Sequence, residues 1–475
     1  MTRKIEIEPV TRIEGHGKVT LHLGDDGRVS EARFNVVEFR GLEKVCEGRL
    51  FWEMPLFICR ACGICPVSHH LAAAKAGDAI LGVQIPPTAK KLRELMHMAQ
   101  FLQSHALHFF HLASPDLLLG FDADPAKRNV VGLIAEKPEL AVKGVMLRKF
   151  GQEIIEMLGE KRIHPTFAIP GGVNRTLSQA QQEKILKQID GAIADVQLAV
   201  GIIRDYLEKN KDEASTFAAF PSGYMGLTDE DGNLDLYDGT LRMRNDKGAI
   251  LEDKLDPKDY LSIIEERVED WSYLKFPYYK KPGCPDGMYR VGPLGRLNVV
   301  DRITTPLAGK EFKEFKKLSN TGIVEGSLYY HYARMIECLY AAERIKVLAE
   351  DELICSTDIW VTSGKINEEG VGVLEAPRGT LFHHYWVDKS GMIKKVNLIV
   401  ATGNNNAAMN RAVFEVAKKY VDGNKLTEGM LNRVEAAIRC YDPCLSCSTH
   451  ALGNMPLTVQ LVSAAGEILD TVKTA

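Results

Sequence analysis

The stretch Arg60-Ala61-Cys62-Gly63-Ile64-Cys65-Pro66-Val67-Ser68-His69 decides how this chain is read, together with Asp442-Pro443-Cys444-Leu445-Ser446-Cys447-Ser448-Thr449-His450. Each holds a Cys-x-x-Cys pair, a spacing that lets two thiolates reach one metal ion. A zinc ribbon keeps its two pairs roughly 15–20 residues apart, because the metal nucleates a small local fold. Here the pairs sit near opposite ends of a 475-residue chain. A shared site forms only once the whole chain has folded around it. That arrangement indicates a buried reaction centre, with a structural zinc site of four cysteines as the alternative that spacing leaves open.

Soft thiolates suit nickel, iron, zinc or copper(I) rather than magnesium or calcium. Arg60 adjoins the first pair, where a fixed charge lowers thiol pKa values. His69 follows Cys65 by four residues, so on a helix it points back at that cysteine and can hydrogen-bond the sulfur. Cys59 extends the first pair to Cys-x-x-Cys-x-x-Cys. With Cys46, Cys284, Cys338, Cys355 and Cys440 it is expected to be a plain buried thiol.

Composition narrows the class. Hydrophobic residues make up 45% and charged residues 26%, as in ordinary globular proteins. The net charge of −4 offers no basic face for nucleic acid. No apolar run reaches the ~20 residues that span a bilayer, and Met-Thr-Arg-Lys-Ile-Glu-Ile-Glu has no signal-peptide core. A cytoplasmic location is expected, with thiols reduced and none of the ten cysteines in disulfides.

Working outward, residues 4–8, 16–23 and 28–38 alternate apolar and polar, with a hairpin turn at Gly24-Asp25-Asp26-Gly27. They predict an N-terminal antiparallel sheet within residues 1–40. The loop Arg12-Ile13-Glu14-Gly15-His16 is more polar than a hairpin needs. Residues 88–113 place Leu92, Leu95, Met96, Ala99, Leu102 and Leu107 at helical spacing, and Ser114-Pro115-Asp116 is expected to end that helix. Helices are also predicted at 138–160, 177–209, 326–350, 407–421 and 426–439. Residues 210–300 hold short runs rich in Gly, Asp, Pro and Tyr and read as an inserted, partly β surface segment. Residues 371–400 read as a hairpin turning near Lys389-Ser390-Gly391. The expected fold is one mainly α domain, a helical core bundle with α+β trimmings. On the helix at 88–113, His105 and His108 share a face and read as hydrogen-bonded core. Arg378, in Glu375-Ala376-Pro377-Arg378-Gly379 before Leu381-Phe382-His383-His384-Tyr385, is set to face an internal anion.

Together these motifs resemble the large, catalytic subunit of nickel–iron hydrogenases. Arg-x-Cys-Gly-x-Cys-x-x-x-His and Asp-Pro-Cys-x-x-Cys-x-x-His are that family's paired signatures, and Arg-Ile-Glu-Gly-His and Glu-Ala-Pro-Arg-Gly extend the likeness over the chain. Trp271-Ser272-Tyr273-Leu274-Lys275-Phe276-Pro277 and Ala401-Thr402-Gly403-Asn404-Asn405-Asn406 look like the cytoplasmic, cofactor-reducing branch, in particular the bidirectional NAD-linked enzymes.

The resemblance implies that Cys62, Cys65, Cys444 and Cys447 hold nickel. It implies that Cys65 and Cys447 bridge to an iron bearing carbon monoxide and two cyanides. Arg378 would stand at the open side of the metals, under a canopy completed by Asp116, Asp442 and Pro377. Thr402 would hydrogen-bond a cyanide, and Glu14 would relay protons. Glu43, His450 and the carbonyl of Leu398 would bind magnesium or a second iron. The implied reaction is reversible heterolytic splitting of H2. Electrons would leave through an iron–sulfur small subunit to a diaphorase carrying FMN, with NAD or ferredoxin as acceptor. Nickel-insertion proteins and a maturation protease would act on the chain, the latter removing residues 451–475 as a C-terminal extension. Within that extension, Leu457-Thr458-Val459-Gln460-Leu461-Val462 is strand-like and is expected to pair with the N-terminal sheet. The rival readings are a hydrogen sensor and a complex I-like structural subunit on the same fold. The second lacks the two cysteine pairs.

Overall fold

A computed structural model describes residues 4–449, 458–462 and 468–473. The chain opens with β1 (Lys4–Ile7), β2 (Gly17–Leu23) and β3 (Val29–Val36), an antiparallel sheet of order β1-β2-β3. β2 buries every second residue, as period-2 patterning requires. Between β1 and β2, the loop holding Glu14 leaves the sheet and forms a parallel bridge to Cys444.

Two helices form the centre. α1 (Pro66–Leu81) begins on proline, whose missing N–H costs nothing at a helix start, and is buried over most of its length. α2 (Pro87–Leu107) packs on α3 (Pro138–Gly159). α2 does not stop at Ser114 as expected. It widens into one π-type turn over His108–Ala113 and runs on as Ser114–Leu119, because Pro115 falls in a new first turn. α4 (Gln179–Lys209) carries a full capping box at Ser178 and Gln181.

The next segment holds β4 (Gly223–Thr228), β5 (Thr240–Arg244), β6 (Ile250–Leu255), β7 (Ile264–Glu269), β8 (Ser272–Tyr279) and β9 (Tyr289–Arg290). Four of these strands make a sheet of order β9-β4-β5-β6. Its inner strand β4 is core rather than surface: Met225 and Leu227 are buried and pack with Val373 and Phe382. α5 (Gly292–Val299) and α6 (Tyr329–Ala349) follow, both almost wholly buried.

In place of a single hairpin, residues 369–399 form three antiparallel strands, β10 (Glu369–Ala376), β11 (Gly379–Val387) and β12 (Ile393–Ile399). The turn at residues 389–391 joins β11 to β12, and a tighter turn at Pro377 and Arg378 joins β10 to β11. β10 lies directly on α1. A Cβ at Gly370 or Gly372 would stand 2.3 and 2.0 Å from the carbonyls of Ala76 and Ala72, so only glycine permits this approach. α7 (Asn406–Tyr420) and α8 (Glu428–Tyr441) lead to the second cysteine pair. β13 (Thr458–Val462) pairs with β14 (Ile468–Lys473), not with the N-terminal sheet, because a partner strand is available ten residues on. Among the described residues, no helix is long and apolar enough to cross a membrane. The molecule is mainly helical with small sheets.

Candidate metal centre

The first cysteine pair sits on the approach to α1. Cys62 follows a short turn, Cys59–Ala61, and Cys65 is the residue just before Pro66. The second pair leaves α8 through Asp442, which adopts a left-handed conformation (φ 53°), and Cys447 lies in the single turn Leu445–Ser448. Folding brings the four sulfurs within 4.8 Å of one another, all buried. Cys62 Sγ is 3.1 Å from Cys444 Sγ, Cys65 Sγ 3.5 Å from Cys447 Sγ, and Cys444 Sγ 3.0 Å from Cys447 Sγ. These separations are well beyond the ~2.05 Å of a disulfide and suit four thiolates around one centre. The backbone N–H groups of Ile64 and Cys65 both donate to Cys62 Sγ at 3.2 Å.

The thiols of the cluster are shifted in opposite directions. Hydrogen bonds from Cys444, Cys447 and Cys62 pull Cys65 well below the ordinary thiol range, against its burial. Burial pushes Cys444 and Cys447 well above it. The set would give up its thiol protons on binding a metal.

His69 does not point back at Cys65 alone. Its Nε2 lies 3.3 Å from Cys447 Sγ, and its Nδ1 lies 3.1 Å from His383 Nε2. Arg60 is on the surface, where it donates to the Leu56 carbonyl, and its charge falls on Cys59 rather than on the paired cysteines. Cys59 itself is a plain buried thiol, pushed up to about 11 by burial. Cys46, Cys338 and Cys440 are buried as expected, whereas Cys284 is exposed and Cys355 only half-buried.

Arg378 is buried beside the thiols, with Nη2 3.1 Å from both Asp442 carboxylate oxygens. Burial would lower its pKa, but Asp442 and the thiols Cys65, Cys444 and Cys62 raise it well above the usual value. It is a permanent cation beside the thiol cluster. Asp116 belongs to a different network and does not pair with Arg378. Arg12 Nη2 at 2.5 Å, Arg439 Nη1 at 2.8 Å and Asn432 Nδ2 at 3.0 Å hold its carboxylate. Burial works to raise that carboxyl group's pKa, and Arg439 and Arg12 bring it below the ordinary range.

A small cavity beside Cys65 and Cys447 is lined by Pro377, Arg378, Leu381, Val400, Ala401 and Thr402. Thr402 Oγ1 accepts the Cys444 N–H at 2.9 Å, which leaves its own proton free to donate into the cavity. Glu14 is half-buried rather than enclosed. Its Oε2 accepts the Ser446 N–H at 3.0 Å, and Ser446 Oγ donates to Oε1. With the Leu445 N–H donating to its carbonyl, Glu14 contacts both residues between Cys444 and Cys447 rather than a sulfur. Glu43 Oε1 accepts the Leu398 N–H at 2.7 Å, and burial raises its carboxyl group. His450 lies outside the described residues. Sequence reading missed Arg40, whose guanidinium donates to the carbonyls of Ala61 and Ser446 and so ties the two pairs together. The only signal was its place two residues before Leu42-Glu43.

Fold and site together define a thiolate metalloenzyme whose centre is assembled from both ends of the chain. A family model described as nickel-dependent hydrogenase matches residues 40–136 and 228–450, and one described as HoxL-like matches residues 4–39. The chain belongs to the nickel-dependent hydrogenase family, as the large, catalytic subunit of a nickel–iron hydrogenase. The beta subunit of the NAD-reducing hydrogenase HoxS of Cupriavidus necator is 46% identical, with 99% of each chain covered. A vhc-type F420-non-reducing hydrogenase subunit of Methanococcus voltae is 42% identical over 99% of this chain and 100% of its own. A solved NAD+-reducing NiFe hydrogenase in its H2-reduced state superposes with a TM-score of 0.92 at 50% identity, covering 94% of this chain and 100% of that one. The Ni-Fe-Se hydrogenase of D. vulgaris Hildenborough shares the fold, with a TM-score of 0.77 at 23% identity. The buried tetrathiolate fits nickel and iron at this site. The sensor and complex I-like readings are not favoured.

Proposed function

We propose that this subunit works in a cytoplasmic complex that couples reversible H2 oxidation to NAD. Electrons pass through an iron–sulfur small subunit to a diaphorase carrying FMN. The likeness to NAD-reducing relatives over nearly the whole chain supports this reading. The observation that carries the catalytic assignment is the convergence of Cys62, Cys65, Cys444 and Cys447 beside a buried arginine.

When bound, the nickel–iron group supplies a redox-active Lewis-acidic centre for heterolytic H2 cleavage. The four cysteines would hold nickel, and Cys65 and Cys447 would also hold iron. On this reading the iron would carry carbon monoxide and two cyanides beside the small cavity next to those two cysteines. Its apolar wall of Pro377, Leu381, Val400 and Ala401 tolerates carbon monoxide, while Thr402 and Arg378 offer donors to cyanide. Arg378, fixed by Asp442, keeps positive charge over the reacting face. His69 steadies Cys447. Glu14 Oε2 takes up protons leaving the second cysteine pair and, being half-exposed, hands them outward. Glu43, the Leu398 carbonyl and His450 would hold magnesium or a second iron. Nickel-insertion proteins load the site, and a protease then removes residues 451–475.

The test is H2-dependent NAD reduction by the co-expressed complex, with Cys65→Ser alongside. The wild-type complex should turn over and the variant should lose both nickel and activity. Equal NAD reduction by the variant would sink the assignment.

A further inference from the structure

Arg378 sits in a two-residue turn, closed by the pairing of Ala376 with Gly379. The turn is buried, where a carbonyl without a donor is costly. Arg296 of α5 supplies the donors. Its Nη1 donates to Ala376 O at 2.9 Å and its Nη2 to Pro377 O at 3.1 Å. The remaining donors go to two carboxylates. Nε and Nη2 bind Glu337 at 2.6 and 2.7 Å, and Nη1 binds Glu375 Oε2 at 2.7 Å. All five N–H groups are thus engaged, and none is left for the thiols.

The carboxylates are themselves fixed. Glu375 Oε1 accepts Thr380 Oγ1 at 2.8 Å and the Leu227 N–H at 2.9 Å. Glu337 Oε2 lies 3.1 Å from His105 Nε2. The side chains of Arg296, Glu337 and Glu375 are fully buried. α5, α6 and β10 therefore meet at one guanidinium, and its two free directions hold the backbone on which Arg378 is mounted.

We infer that Arg296 is a positioning residue for Arg378, acting as a clamp that sets where the Arg378 guanidinium stands over the thiol cluster. The inference rests on Arg378 acting at the H2-splitting face. Arg296 touches neither substrate nor metal ligands. A lysine cannot replace it, because one ammonium cannot span two carboxylates and two carbonyls. A displacement of about 1 Å at a reacting face costs up to about 100-fold in rate.

The experiment is a double-mutant cycle on the assembled complex: wild type, Arg296→Lys, Arg378→Lys and both together. H2 turnover, KM for H2, nickel content and thermal midpoint are read for each, with a crystal structure of Arg296→Lys. Arg296→Lys should lower kcat at least about tenfold, with KM and nickel content kept and the Pro377 carbonyl displaced. In the Arg378→Lys background the same change should have almost no further effect, because its only route is already cut. If Arg378→Lys alone leaves turnover intact, the role of Arg378 fails. If Arg378→Lys is damaging but the two effects multiply independently, the clamp is overturned. Should Arg296→Lys not fold, Glu375→Gln keeps the shape, weakens one contact of the clamp, and is read through the same cycle.

Discussion

Glu14 shows how much rests on single side chains. Both of its oxygens are engaged by Ser446, yet the residue is half-exposed, so it spans from the cysteine segment to the outside. Glu14→Gln keeps the shape, and the amide oxygen can still accept the Ser446 N–H. It removes the transferable proton. We expect H2 turnover to fall at least about 100-fold while nickel content is unchanged. Activity near wild type in the variant would exclude Glu14 from proton transfer. The four cysteines were legible because their chemistry is local: a Cys-x-x-Cys spacing announces itself. The partners of Asp116 were not, since Arg12, Asn432 and Arg439 come from both ends of the chain and no spacing links them. The reach of His69 to Cys447 was hidden for the same reason.

At the scale of elements, the loop between β1 and β2 is what carries Glu14 to the second cysteine pair. It approaches so closely that a Cβ on Gly15 would lie 2.7 Å from Leu445 Cβ, and Gly15 has φ +85°. Gly15→Ala should cost roughly 1–3 kcal/mol through the left-handed backbone and the clash. It should also push the loop off the Leu445–Ser448 turn. A lowered thermal midpoint with reduced nickel retention is expected, and unchanged values for both would contradict this packing. The strands and long helices of the sequence reading agree with the structure to within a few residues, because their periodicities are strong. Arg378 reads in the sequence as the start of a loop, not as part of a tight turn between two paired strands. Its carbonyls are bound by Arg296, some 80 residues earlier in the chain. The continuation past Ser114 was missed as well, since a π-type turn leaves no mark in the apolar pattern.

Across the whole molecule, burial of ionisable groups predicts how stability follows pH. Burial pushes His70, His97 and His105 down to about 4. In the unfolded chain each titrates near ~6.5. These histidines are neutral when folded, so the unfolded chain binds more protons between the two values. Their contribution is complete above pH ~6.5 and is lost as pH falls towards ~4, on the order of 3 kcal/mol each. Burial also raises Glu43, Glu94 and Glu375, which pull the other way in the lower part of that window. The drop is therefore steepest in the upper part. Denaturant midpoints of the metal-free chain should fall from pH 7 to pH 5, and a flat or rising profile would contradict the burial of these histidines.

The same whole-molecule packing brings two cysteine pairs from opposite ends of the chain into one four-cysteine cluster. Nickel K-edge X-ray absorption of the purified complex tests it most directly. It should show nickel in a shell of thiolate sulfurs at roughly 2.3 Å, with iron as a nearby scatterer. A chain carrying zinc alone, or nickel bound only through nitrogen and oxygen, would contradict it.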